Sequence, residues 1–333
     1  MQKNCFFILI VFFFNFNMIK SMDQLCTIHR DRIFNKNVEI LPALQEEASY
    51  HVSFGYVGRS GDQESMDDVG VIDLVAEGNY CLENCRAALF DGHNGSGAAL
   101  HAAKNLFPYL DELSSSNDDE LIAACRESFT RINLDILKNR NIADQGTSAS
   151  IIHINKLHAL IGWVGNSRVV IVRDGKVIAS TTDHVLANDF ERARVEERGG
   201  EIITTDCARI EGLALSRVLG NIHVKPYLVS VPQILTCDLE CNDLVVIASE
   251  GVWNVMTSEQ AAALVTCVLH ENSERIDALY PQVQSRRDIR KEKVFQDSSN
   301  DQLLRAAGVL RDHSYSLGSS QNISAIILKV GSH

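Results

Sequence analysis

Between residues 148 and 180, four short apolar segments follow one another almost without interruption: 148–155, 157–164, 168–173 and 176–180. Each has the length of a strand rather than of an ordinary helix. Asp174 and Gly175 separate the last two, and Asp-Gly between apolar runs is the strongest short-range signal for a hairpin. Strands linked this closely pair antiparallel, because a parallel return needs a long crossover. A doubly wound parallel sheet is therefore not the expectation.

Helices gather in blocks around these strands. From 117 to 140 the apolar residues Ile122, Cys125, Phe129, Ile132 and Ile136 recur at steps of three and four, which places them on one helical face. Asn117 with Glu120 three residues later supplies the start signal. The stretch 95–110 reads as a second helix with Leu100, Ala103 and Leu106 inward. A third spans about 189–198 and stops at Gly199-Gly200. Residues 244–249 form a buried strand followed by a helix starting near Thr257 or Ser258, and 321–330 is a final strand. The expected class is α+β, two packed antiparallel sheets flanked by helices. Residues 51–330 form one domain, preceded by an apolar segment at 1–22 and a lead-in at 23–50.

A formal net charge of -12 argues against a nucleic-acid surface, since phosphate backbones are held by excess Lys and Arg. Nine cysteines, an odd count spread along a long chain, do not form a disulfide framework. Cys81/Cys85 and Cys237/Cys241 repeat a C-x3-C spacing, looser than that of zinc knuckles; reduced thiols are the expectation. Lys3 ahead of an apolar run at 6–14 has the pattern of a signal or anchor, while Met18 and Met22 offer alternative starts. The cytoplasm is the favoured compartment, with a secretory or membrane-anchored address if that segment is genuine. The run is too short to span a bilayer. The basic stretch 286–293 is a solvated face or a docking patch for phosphopeptides.

Phe90-Asp91-Gly92-His93-Asn94-Gly95 follows the apolar stretch 86–89 and precedes a helix, so Asp91 stands at a strand end where a carboxylate can project into a cleft. Asp67 and Asp68 add two acids at the mouth of another strand. Taken alone, such acids are more often turn formers and caps than metal ligands.

Eight ordered segments alter that balance. FDGHNG at 90–95 resembles the F-D-G-H-G-G of the type 2C metal-dependent protein phosphatases, and GTSA at 146–149 resembles their G-[ST]-[ST]-A. VGNSR at 164–168, TDH at 182–184, ERARVEERGG at 191–200 and LALSRVLGN at 213–221 follow further motifs of that family. So do ASEGVWN at 248–254 and QNISAIIL at 321–328. The resemblance covers about 51–330. It implies two sheets packed face to face, and hydrolysis of phosphoserine and phosphothreonine on protein substrates by a water activated between two Mg²⁺ or Mn²⁺ ions.

Carried over residue by residue, the resemblance implies that Asp91 bridges both ions and that Asp67 and the Gly92 carbonyl hold one of them. Asp68 orients metal-bound water, and His93 protonates the departing oxygen. Glu250 stands where the family has a ligand Asp, Gln321 where it has the last ligand Asp, and Asn166 where a third, weaker metal is held. Asn221 and Asn254 replace acids at two further motif positions. The phosphate-gripping Arg is Gln63 here, leaving Arg59 four residues earlier as a substitute.

Each acid-to-amide change keeps an acceptor oxygen but removes a full charge opposite a dication. One metal half therefore looks well built and the other weakened. Two functions follow as expectations: an active, Mn²⁺-favouring phosphatase, or a pseudophosphatase that binds phosphoproteins or a kinase as a regulator. In either case the chain is expected to act as a monomer.

Overall fold

The computed structural model describes residues 7–12, 50–59, 63, 65–77, 81–113, 117–205, 207–270 and 302–332. The lead-in at 23–49 and the basic stretch 286–293 lie outside the described residues, as does most of the segment 1–22.

Two antiparallel sheets form the centre. The first has six strands in the order β1 (Phe7–Phe12), β3 (Val69–Glu77), β4 (Cys81–Phe90), β7 (Ala149–Asn155), β8 (His158–Val164) and β14 (Gln233–Asp238). The second has five, in the order β10 (Lys176–Ser180), β9 (Arg168–Arg173), β15 (Leu244–Ala248), β16 (Ile323–Ser332) and β2 (Tyr50–Arg59). The four segments that constrain the sequence most are all strands. The β9–β10 turn has Asp174 and Gly175 both at positive φ, 49° and 74°, as a two-residue type I′ hairpin requires.

Side chains alternate faces along each strand, and here both faces are apolar. In β4, Cys85, Ala87 and Leu89 enter the core between the sheets, while Ala88 and Phe90 face the helices. In β15, Val245 and Ile247 point between the sheets, and Leu244, Val246 and Ala248 point outward. Double-sided burial explains why these strands read as continuous apolar runs rather than as alternating ones. Each fully buried Leu, Ile or Phe contributes about 1.5–3 kcal/mol.

Helix α1 (Gly97–Leu113) and helix α2 (Asp118–Lys138) cover the first sheet. The Asn117 side chain caps α2 by accepting from the Glu120 N–H at 2.9 Å. Cys125, Phe129, Ile132 and Ile136 are buried as the spacing predicts, with Ile122 partly buried beside them. In α1, Ala103 and Leu106 are buried and Leu100 packs at the margin. Helix α3 (Asp189–Glu197) ends at Gly199, which takes φ 83°. It packs over a small apolar cluster around Val195, Ile210 and Leu215.

The second sheet is covered by the short α4 (Glu250–Trp253), by α5 (Ser258–Leu269) with its Thr257–Gln260 capping box, and by α6 (Gln302–Ser316). The result is a four-layer α-β-β-α sandwich, as expected. The sequence reading did not register α6, α4 or β14. Strand β14 carries Gln233, Thr236 and Asp238 on an edge, where a strand loses its apolar signature.

Two small ribbons complete the structure. One pairs β11 (Ile203–Thr204) with β12 (Ala208–Arg209). The other has three strands in the order β13 (Leu219–Gly220), β6 (Gly146–Thr147) and β5 (Gly92–His93). Among the described residues, Cys125, Cys207, Cys237, Cys241 and Cys267 are free thiols. No described helix is long and apolar enough to cross a membrane.

Candidate active site

Strand register brings the acids together. Val69 is the cross-strand partner of Phe90, so Asp68 just before β3 and Asp91 just after β4 emerge side by side from one end of the first sheet. In the second sheet Ala248 pairs with Ala325. Glu250, after β15, and Gln321, before β16, therefore leave that sheet at neighbouring strand ends. The two ends meet: the Glu250 backbone N–H donates to Asp91 Oδ2 at 3.0 Å. The Asp91 carbonyl accepts from the Ser148 N–H at 2.9 Å, which ties the acid loop to the β6–β7 segment.

Asp91 is half-buried, and its desolvation together with the charges of Asp68 and Glu250 raises its pKa well above the usual carboxylate range. Asp68 is 1% exposed, and burial pushes its pKa up to about 6, against the opposing influence of Ser324, Ser249 and Asp91. Those hydroxyls face Asp68 without reaching hydrogen-bond geometry. Both Asp68 carboxylate oxygens lack a hydrogen-bond partner among the described residues. Asp67 is better satisfied: its Oδ1 accepts from Ser65 Oγ at 2.9 Å and its N–H donates to Asn322 Oδ1 at 2.5 Å. Gly92 lies so close to this loop that an added Cβ would sit 2.5 Å from the Asp67 carbonyl oxygen.

His93, the first residue beyond that contact, places its Nε2 against Asn221 Oδ1. Burial lowers its pKa, opposed by that hydrogen bond. Lys225 lies near enough to contribute to the same lowering. Its Nζ donates to the Val218 carbonyl at 2.6 Å, and burial brings its pKa down to about 7.

The positions that depart from the acidic pattern are also placed. Gln63 Nε2 donates to the Ser320 carbonyl at 3.2 Å and faces Gln321 Oε1 at 3.5 Å, so two substituted positions are neighbours at the rim. Asn166 is buried in the turn between β8 and β9. That turn is joined to the acid loop through Ser167 Oγ, 2.6 Å from Ser148 Oγ. The backbone of Arg59 ends β2 opposite Ile323, two residues past Gln321.

Sequence reasoning missed Asn322 as a strap. Its Oδ1 holds the Asp67 N–H and its Nδ2 donates to the Ser65 carbonyl at 3.1 Å. It follows Gln321 within a motif already singled out, but its reach of 255 residues is invisible in one dimension. The buried Ser249 and Ser324 beside Asp68, and Lys225, were missed likewise.

These donors suit a hard dication. Carboxylate, carbonyl and amide oxygens are the ligands that Mg²⁺ and Mn²⁺ prefer. The orphaned Asp68 oxygens and the like charges around Asp91 are the environment that a cation would relieve. Among the described residues, no three His, Cys, Asp or Glu side chains close into a metal-holding group.

Two antiparallel sheets between helical layers, with acids gathered where strand ends of both sheets meet, define a phosphatase-type sandwich. Solved structures share it. A C. elegans sex-determining protein matches with a TM-score of 0.66 at 21% identity, over 94% of this chain and 73% of that one. A serine-threonine phosphatase 2C from Toxoplasma gondii matches with a TM-score of 0.62 at 15% identity, over 87% of this chain and 97% of that one.

A family model for protein phosphatase 2C matches residues 84–323, more than half of the chain, and the chain belongs to that family. Probable protein phosphatase 2C 76 of Arabidopsis thaliana is 29% identical over 282 residues, 84% of this chain. Probable protein phosphatase 2C member 13, mitochondrial, of Oryza sativa subsp. japonica is 33% identical over 217 residues, 63% of this chain. The chain spans 59% and 58% of the length of these two relatives.

Proposed function

We propose that this chain hydrolyses phosphoserine and phosphothreonine on proteins, using Mg²⁺ or Mn²⁺ at a site whose charge is reduced on one side. The supporting observation is the meeting of Asp68, Asp91 and Glu250 at the shared end of the two sheets, with the Asp68 carboxylate lacking any hydrogen-bond partner among the described residues. Asp67, Asp91, Glu250, the Gly92 carbonyl and the Gln321 amide oxygen would hold the ions, with Asn166 at a weaker third position. Bound there, such ions lower the pKa of a water and offset the charge that gathers on the phosphoryl oxygens.

The chain's own residues do the rest. Asp68, with two oxygens open to accept hydrogen bonds, orients the attacking water. His93, beside the acid loop, would exchange a proton with the departing oxygen. Arg59, whose backbone ends β2, would supply the cation for the substrate phosphate in place of Gln63 once the loop between them is rearranged.

A second reading is favoured by one observation, the neutral Gln63–Gln321 pair at the rim. With both a phosphate grip and a ligand charge gone, the cleft would bind a phosphoprotein or kinase without turning it over. The deciding experiment measures hydrolysis of an aryl phosphate and of phosphoserine and phosphothreonine peptides with Mn²⁺. Turnover above that of Asp91→Asn is expected. Turnover no greater than that variant's overturns the enzyme reading, and retained phosphopeptide binding would then establish the regulator.

A further inference from the structure

His93 and Asn221 meet because a glycine stands between their strands. In the three-stranded ribbon, Gly146 of the central β6 is the register partner of both His93 in β5 and Gly220 in β13. Asn221 follows Gly220 at once and takes the left-handed conformation, φ 54°, which Asn tolerates better than most residues. A Cβ on Gly146 would overlap both Asn221 Oδ1 and His93 Nε2, so only glycine there leaves the two side chains room to touch.

The Asn221 amide is oriented by a partner that can play only one role. The Asp144 carbonyl oxygen is an acceptor, and the amide atom facing it at 3.2 Å must therefore be the donor Nδ2. Oδ1 is then the atom presented to His93 Nε2. Two lone pairs at that contact would repel, so the hydrogen bond forms only if Nε2 carries the proton. The backbone on both sides is fixed as well. Asn221 N–H donates to the Gln145 carbonyl at 2.8 Å, and Gly220 N–H donates to Asn133 Oδ1 at 3.1 Å.

We infer that Asn221 is a positioning residue that fixes His93 as its Nε2–H tautomer, leaving Nδ1 as the ring nitrogen that holds a lone pair. The consequence for proton transfer to a substrate rests on the phosphatase reading; the tautomer itself does not. A carboxylate at position 221 would also accept from Nε2–H, but it would set a bare oxygen against the Asp144 carbonyl. The amide satisfies both neighbours at once.

Nitrogen NMR of histidine-labelled, metal-free protein above the histidine titration range tests this, with the His93 signals assigned by their loss in His93→Gln. A single pyrrole-type Nε2 and a pyridine-type Nδ1 are expected in the wild type. Asn221→Leu, which fills the space without accepting a hydrogen bond, is expected to give a mixture of tautomers. Asn221→Asp is expected to restore Nε2–H. A wild-type Nδ1–H signature overturns the inference, as does an unchanged Nε2–H signature in folded Asn221→Leu. A wild-type Nδ1–H signature would overturn the inference whether or not the leucine variant folds. Absence of phosphatase turnover would overturn the enzyme reading alone, because these spectra are recorded without metal or substrate.

Discussion

The backbone N–H of Glu250 donates to Asp91 Oδ2 at 3.0 Å, and this one bond joins the acid loop of the first sheet to the β15–α4 junction of the second. It sits within a set of like charges that raises the Asp91 pKa. Asp91→Asn keeps an acceptor for Glu250 and removes one of the clustered charges. The expected result is loss of the Mn²⁺ binding heat in calorimetry, with metal-free thermal stability equal to or above that of the wild type.

Gln321 faces Gln63 across 3.5 Å, where a carboxylate would add a charged ligand. Gln321→Asp is expected to tighten Mn²⁺ binding roughly tenfold to hundredfold, about 1.4 kcal/mol for each factor of ten. Asn166→Asp in the same chain is expected to tighten it further. Hydrolysis of an aryl phosphate is expected to rise with occupancy. Tighter binding with no gain in turnover would mean that ligand charge is not what limits the site.

Asn322 satisfies the Asp67 N–H and the Ser65 carbonyl from the start of β16. Asn322→Ala leaves both part-buried backbone groups without that partner, a loss of about 0.5–1.5 kcal/mol for each hydrogen bond. Urea unfolding should show that loss, and Mn²⁺ affinity should fall with it because the Asp67 loop is no longer strapped down. Unchanged metal affinity in a destabilised variant would separate the strap from the site.

Glu191 in α3 is hydrogen-bonded by Arg217, Ser216 and Arg194. Burial alone would raise its pKa, but those partners outweigh it and bring the value from 4.5 to about 2. A depressed carboxylate stabilises the fold above its unfolded pKa, and that contribution is lost as pH falls through the folded value. The window therefore runs from about pH 4.5 down to about pH 2. Allowing for solvent screening, about 2 kcal/mol should disappear across it. Glu191→Gln should flatten that part of the stability profile, measured by denaturant unfolding at several pH values.

Much of the fold was legible in the sequence because its signals are local. The Asp174-Gly175 turn, the Asn117 cap and the three-four spacing of Phe129, Ile132 and Ile136 each act within a few residues. Helix α6 was not legible, since Gln302, Arg305, Arg311, Asp312 and His313 dilute its apolar stripe. Its inward face is defined by packing on β2, β16 and α5, with Leu303, Ala306, Ala307 and Leu310 buried there.

The sequence by itself determined the set of chemical groups: which acids are present, which have become amides, and in what order they occur. It determined paired strands as well, because turn chemistry and strand spacing are properties of neighbouring residues. Tertiary structure alone decided that Asp68 and Asp91 share a strand end, that Glu250 reaches Asp91 across two sheets, and that Gly146 lets Asn221 meet His93. Those contacts join residues up to 159 positions apart. They exist because register and face-to-face packing, which depend on the whole core, bring the strand ends to one place.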